Sequence, residues 1–142
     1  VSSAVVLDTH AWVVFASGAP GLPPRAARRL ARAEVAYVPA IALREVALLA
    51  ERQKLSVAPG RDGIEAWMRA ALRDPCVLVP LSPDIAVQSA GLSREGFHRD
   101  PGDQMIYATA RVMNVPLITG DQAIHRFEAG LPKRVKRLAV WD

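Results

Sequence analysis

HRDPGDQMIYATA, residues His98 to Ala110, sets two carboxylates around a Pro-Gly step and runs straight into an apolar helical pattern. Asp100 ahead of Pro101 predicts an N-cap followed by proline at the first helical position, where a missing N–H does no harm. Asp103 then falls in the first turn, where the helix dipole favours negative charge. A well-capped helix from Gly102 to about Met113 accounts for this stretch taken alone. Two more acids end apolar runs elsewhere, at Leu7-Asp8 and Thr119-Gly120-Asp121, and call for a common explanation with it.

On either side the chain alternates short apolar runs with helical patterns, which indicates a parallel sheet with crossover helices. Strands are expected at Ala4 to Leu7, Val35 to Val38, Cys76 to Leu81, Val115 to Thr119 and Leu138 to Trp141. Helical spacing predicts helices over His10 to Ala16, Pro24 to about Glu34, Ala40 to about Lys54, Ile64 to Leu72 and Pro83 to about Ala90. Ile41, Val46, Leu48 and Leu49 are core candidates on the third of these, and Trp67 and Met68 on the fourth. Gly18 to Pro24, Pro59-Gly60 and Gly91 to Gly96 read as loops. With 142 residues and no repeats or linkers, one domain spanning 1–142 is expected, large enough to bury a core without staples.

A hydrophobic fraction of 51% excludes disorder and suits a sheet covered on both faces. No apolar run approaches the ~18 residues of a membrane span. The opening run is short, lacks a basic flank and ends at Asp8, unlike a signal peptide. Cys76, the only cysteine, rules out an internal disulfide and is expected to be a buried apolar residue. A soluble cytoplasmic protein is the expectation.

In an open parallel sheet, ligands gather beyond the carboxyl ends of the strands, where the strand order reverses. Asp8 and Asp121 end the first and fourth strands, and the helices bearing Glu45 and Asp103 can lean over the same edge. Carboxylates crowded into one cleft repel each other unless a cation compensates them. An all-oxygen ligand set points to a hard cation, Mg²⁺ or Mn²⁺, which commonly polarises a phosphoryl oxygen and activates water. The histidines are weak ligand candidates, because no His-x-x-x-His or Cys/His pair supports zinc.

The formal charge is +4; setting those four acids aside leaves 18 basic against 10 acidic residues, or +8. A positive surface around a small acidic centre suits a polyanion such as nucleic acid. Of the 18 bases 15 are arginine, a bias that follows either from genome composition or from phosphate binding. Arg25, Arg28, Arg29 and Arg32 fall at i, i+3, i+4 and i+7 on one helix face, either a solvated stripe or an RNA-phosphate surface. Lys133, Arg134, Lys136 and Arg137 form a second, solvated cluster.

VVLDTHAWV at the start, VPAIALREVALLAERQKL, HRDPGDQMIYATA and PLITGDQAI, with the closing VKRLAVWD, carry a resemblance over nearly the whole chain. Together and in this order they resemble the PIN domain, in particular the VapC-type ribonuclease toxins of prokaryotic toxin–antitoxin pairs. The resemblance implies an α/β/α sandwich around a parallel sheet of about five strands. It implies an Mg²⁺ or Mn²⁺ centre held by Asp8, Glu45, Asp103 and Asp121, with Asp100 as an outer member. Thr9, beside Asp8, and Thr119, near Asp121, look like the polar residues that orient the carboxylates in such sites. The implied activity is endonucleolytic cleavage of RNA leaving a 5′-phosphate and a 3′-hydroxyl. An antitoxin partner and a homodimer come with it, and a membrane does not.

Two departures bear on supporting contacts. Gln104 stands where the family often has arginine, and Ala40, Ile41 and Ala42 are apolar where a serine or threonine often precedes the glutamate. Among rivals, a haloacid-dehalogenase-type phosphatase needs an acid two residues after Asp8, where His10 stands. A receiver domain needs an acid pair at that strand end and a lysine ending the last strand, and neither is evident. A catalytically inactive PIN-like module that binds RNA or protein is the alternative to the enzyme.

Overall fold

In the computed structural model, which describes residues 3–55 and 58–142, the apolar runs form five strands. They are β1 (Ala4–Leu7), β2 (Val35–Pro39), β3 (Cys76–Val79), β4 (Leu117–Ile118) and β5 (Ala139–Val140). All pair in parallel in the order β3-β2-β1-β4-β5. The chain builds outward from β1 on one side, then returns past it to build the other. The order therefore reverses at β1, and the crevice beyond the carboxyl ends of β1 and β4 is the switch point.

Among the described residues seven α-helices connect and cover the sheet: α1 (Thr9–Ser17), α2 (Pro24–Arg32), α3 (Ala40–Glu51), α4 (Ile64–Ala71), α5 (Pro83–Gly91), α6 (Pro101–Met113) and α7 (Gln122–Ala129). Alternate strand residues serve opposite faces. Val5, Leu7, Ala36, Val38, Ile118 and Val140 pack with Trp12, Leu30 and Val46 of α1, α2 and α3. On the other side Val6 and Leu117 pack with Ile85, Ile106, Tyr107 and Ile124 of α5, α6 and α7. Away from edge strand β3 both faces are thus apolar and covered, which is how a purely parallel sheet is stabilised. The expected α/β/α sandwich of five parallel strands is the observed one. Cys76 is buried, as expected. No helix among the described residues is long and apolar enough to cross a membrane.

The structure corrects several details. α7 lies where no helix was expected, although Asp121 caps it and Ile124 and Phe127 bury one side. β4 and β5 shrink to two residues each; Pro116 cannot donate to a ladder, and β5 is paired on one side only. α3 stops at Glu51 rather than Lys54, and β3 at Val79 rather than Leu81. Of the α3 core candidates only Val46 is fully buried; Ile41, Leu48 and Leu49 are half-buried. In the second basic cluster, Arg137 is structural, donating to the carbonyls of Leu131, Pro132 and Val135.

β5 is held by a buried acid. Glu128 on α7, only 3% exposed, accepts hydrogen bonds from Leu138 N (2.7 Å), Ala139 N (3.0 Å) and the Tyr107 hydroxyl (2.8 Å). Burial, with Glu128 beside it, raises the Tyr107 phenol well above its usual range and keeps it a donor. Glu128→Ala should therefore lower stability by roughly 3 kcal/mol, because it strands two buried N–H donors and a hydroxyl. A urea unfolding midpoint indistinguishable from the parent's would contradict this role.

Candidate metal centre

Of the helices that begin at the carboxyl edge of the sheet, three begin with an aspartate. Asp8 leaves β1 and caps α1, its Oδ1 accepting from Ala11 N at 2.8 Å. Asp121 follows β4 and caps α7 through Ala123 N at 2.8 Å. Asp100 caps α6 through Gly102 N at 3.0 Å, and Pro101 opens that helix as expected. Asp103 stands in the first turn of α6. Glu45 reaches over from the second turn of α3.

Asp8, Thr9, Glu45, Asp103 and Asp121 line one open cleft of about 450 Å³, with His10, Ile106, Gly120 and Trp141 completing its walls. The four acids expected to converge do so. They are not equally close. Oxygens of Asp103 and Asp121 and a ring nitrogen of His98 lie within 4.8 Å of one another. Asp8 and Glu45 border the same space outside that tight group. Asp100 is exposed at the rim, its carboxylate turned to its own helix.

Thr9 donates a hydrogen bond to Glu45 Oε1. Thr119, wholly buried, accepts from Asp121 N at 3.1 Å. Thr9 thus holds the carboxylate of Glu45 rather than that of Asp8 beside it, and Thr119 meets the main chain of Asp121 while its hydroxyl favours the ionised Asp8. His98 was passed over in the sequence reading, yet its Nε2 lies 2.7 Å from Asp103 Oδ2. Stacking on Phe97, with ring centroids 4.5 Å apart, fixes that imidazole. Its only sequence signal was position, five residues before Asp103. Gln104, where an arginine was noted as usual, donates to His98 O and Ser93 Oγ and so braces the same loop.

Crowding shows in the acidities. Burial, then the neighbouring Asp121 and Asp100, raise the Asp103 carboxyl to about 7, against the opposing hydrogen bond from His98. Burial also raises Asp8, partly offset by Thr119, Ala11 and His10. Glu45 is raised by burial and by Asp100 and Asp8, with Thr9 opposing. Asp103 so placed holds a proton near neutrality unless a cation replaces it. The donor set therefore fits a divalent metal, with Asp103 and Asp121 nearest to one another.

Gly102 explains the Pro-Gly step. A Cβ there would overlap Glu45 Oε2 and lie 3.0 Å from its Cδ. Glycine lets α6 approach the glutamate that α3 presents.

Two tests follow from this geometry. Gly102→Ala should leave stability unchanged or raise it by up to ~1 kcal/mol, alanine being the better helix former. It should cut metal affinity roughly 10–100-fold by pushing Glu45 aside. Melting curves and Mn²⁺ titration of the same sample separate the two effects. The second test concerns pH. Asp103 is raised in the folded chain from an ordinary value of 3.8 to about 7. The metal-free fold consequently binds the extra proton between those limits, and Asp103 contributes stability below about pH 4 that is lost as pH rises through 7. Metal must displace that proton, so Mn²⁺ affinity should climb with pH up to about 7. Calorimetry in two buffers of different ionisation heat should register proton release, and Asp103→Asn should lose most of it.

Known proteins resemble this chain in sequence and fold. The PIN domain family model matches residues 5–130. Ribonuclease VapC22 of Mycobacterium tuberculosis (strain ATCC 25618 / H37Rv) is 28% identical over 120 residues, 84% of this chain and 88% of that protein. A toxin–antitoxin complex from Klebsiella pneumoniae has the same fold at TM-score 0.62 and 24% identity, covering 96% of this chain and 95% of that one. So does Mycobacterium tuberculosis VapC20, described as a sarcin-ricin loop cleaving toxin, at TM-score 0.62 and 16% identity, covering 91% and 97%. With the family model spanning both halves of the sheet and every acid of the cleft, this chain belongs to the PIN-domain family.

Proposed function

We propose that the chain acts as a single domain and is a metal-dependent endoribonuclease, the toxin of a toxin–antitoxin pair. The observation that carries this reading is the cluster of Asp103, Asp121 and His98 within 4.8 Å, in a cleft that Asp8 and Glu45 also line. Similarity to a mycobacterial ribonuclease of matching length supports it.

Asp103 and Asp121, with Asp8 and Glu45, are the proposed holders of Mg²⁺ or Mn²⁺. A hard cation bound there supplies charge for a phosphoryl oxygen and makes water nucleophilic near neutral pH. The chain's own part is to keep four acids turned inward. Helix caps fix one oxygen each of Asp8 and Asp121, His98 fixes Asp103, and Thr9 fixes Glu45. Cleavage breaks the P–O3′ bond as the water oxygen joins phosphorus, leaving a 5′-phosphate and a 3′-hydroxyl. Arg25, Arg28, Arg29 and Arg32 are all exposed, and none forms an ion pair among the described residues. They are the proposed contacts for RNA phosphates.

A second, larger groove of about 670 Å³ runs between α1 and α3 along Val13, Val14, Leu48 and Leu49 and shares Thr9, His10 and Glu45 with the acidic cleft. An antitoxin segment lying in it would obstruct the cleft, which supports that partner. Val77, Leu78, Leu81 and Val87 are exposed on and after edge strand β3, an apolar surface that supports a homodimer.

Purified protein should cleave RNA only with Mg²⁺ or Mn²⁺. Asp103→Asn should fold, bind metal poorly and lose cleavage by more than roughly 100-fold, exceeding the loss typical of a supporting residue. Asp100→Asn should stay within about tenfold of the parent, since asparagine caps a helix nearly as well. Rates measured across metal concentration decide both. RNA binding with no cleavage under any metal would make the protein a non-cutting module instead.

A further inference from the structure

We propose that Trp141 and His10 form a stacking subsite for the RNA base beside the cleaved phosphate, and that Arg25 takes the phosphate beyond it. This rests on the ribonuclease reading and adds to it where the substrate strand leaves the acidic centre.

Trp141 follows β5, and its indole lies flat against Gly120, next to Asp121. A Cβ on Gly120 would come within 2.7 Å of Cε2, 2.9 Å of Cζ2 and 3.0 Å of Nε1 of that ring. The indole is half-buried and forms a wall of the cleft that holds Asp8, Asp103 and Asp121. Trp12 shows what a purely structural tryptophan looks like in this fold: it is wholly buried, its Nε1 donating to Ala71 O at 3.0 Å. Trp141 Nε1 has no acceptor among the described residues. The His10 ring faces Trp141 with centroids 6.3 Å apart and planes tilted by 52°. His10 is exposed and makes no hydrogen bond among the described residues, so it can turn toward a base resting on the indole.

The next contact follows from the backbone. Ala26 N donates to Trp141 O at 2.9 Å, which docks the start of α2 directly behind the tryptophan. Arg25 is exposed there, its Nη1 3.4 Å from Asp142 O. The order from the acidic centre outward is thus carboxylates, aromatic wall, arginine. A single strand presents the same sequence of groups: reacting phosphate, base, next phosphate. Base-on-aromatic stacking tolerates any sequence, because every base has a π-face.

The test is binding of a fluorescein-labelled, randomised single-stranded RNA, with Ca²⁺ as the cation and cleavage scored separately with Mn²⁺. Trp141→Ala should weaken binding roughly 5- to 150-fold, while Trp141→Phe should retain most of it. His10→Ala should show a smaller loss. A ribose-phosphate chain without bases should bind weakly and equally to the parent and all three variants. RNA should quench tryptophan fluorescence in the parent, and the quench should vanish in Trp141→Phe although Trp12 and Trp67 remain. The subsite is overturned if Trp141→Ala binds RNA like the parent, or loses the base-free chain as much as RNA. It is also overturned if both Trp141 variants lose Mn²⁺ affinity or thermal stability alike, since the role is then structural. If the parent itself neither binds nor cleaves RNA, the ribonuclease reading falls and takes the subsite with it. Cleavage by the parent with no effect at Trp141 removes the subsite alone.

Discussion

The constraint on which the rest depends is negative charge gathered at one edge of the sheet. Asp8, Asp121, Asp103 and Asp100 crowd together there with Glu45, and their mutual repulsion must be met by the fold before any metal arrives. Three helix N-termini meet it. α1, α6 and α7 all start at this edge, each with an aspartate at its N-cap, so unpaired N–H groups and dipole ends face the acids. Asp8 and Asp121 each give Oδ1 to their helix and leave the second oxygen without a backbone partner. Capping and metal binding are therefore not rival explanations of these residues. One oxygen serves the cap, and the other is left for the proposed cation.

That division explains what could be read in the chain beforehand. Asp8 and Asp121 were legible because a lone acid ending an apolar run has few reasons to be there. Asp103 was legible because it falls one turn after a strong cap. His98 was not, since its role depends on Phe97 turning the loop so that the imidazole meets Asp103. Nor was the reason for Gly102, which lies in a tertiary contact with Glu45 on another helix. α7 left a usable signal in Asp121 followed by Ile124 and Phe127. Asp121 both ends the β4 run and caps α7, so the strand alone accounts for the acid in the sequence.

Short elements at the site's outer side need support that periodicity does not reveal. β4 and β5 contribute two residues each, too few for ladder hydrogen bonds alone to fix them. Glu128 supplies the missing constraint by gripping two successive N–H groups at the start of β5. Tyr107, the third partner of that carboxylate, lies on α6, the helix that carries Asp103. β5, α7 and α6 are thereby joined through one buried acid. Trp141, which follows β5, is carried to Gly120 by the same arrangement. The wall of the cleft is thus set from the far side of α7.

The proposed RNA substrate would add a final electrostatic demand, because a polyanion must approach an acidic centre. The basic residues answer by position rather than by number. α2 runs antiparallel to the strands: its start is bonded to Trp141 at the carboxyl edge, while Glu34, just past its end, is bonded to Ser3 at the opposite edge. Nine helical residues span about 13 Å, longer than the Debye length of ~8 Å at physiological salt. Arg25 can therefore act on a phosphate at the cleft, whereas Arg32 is screened from it and acts on approach. The stripe that looks uniform on a helical wheel is graded in space. On the proposed reading its near end would be a positioning contact beside the aromatic wall, and its far end part of the field that brings a polyanion to the surface.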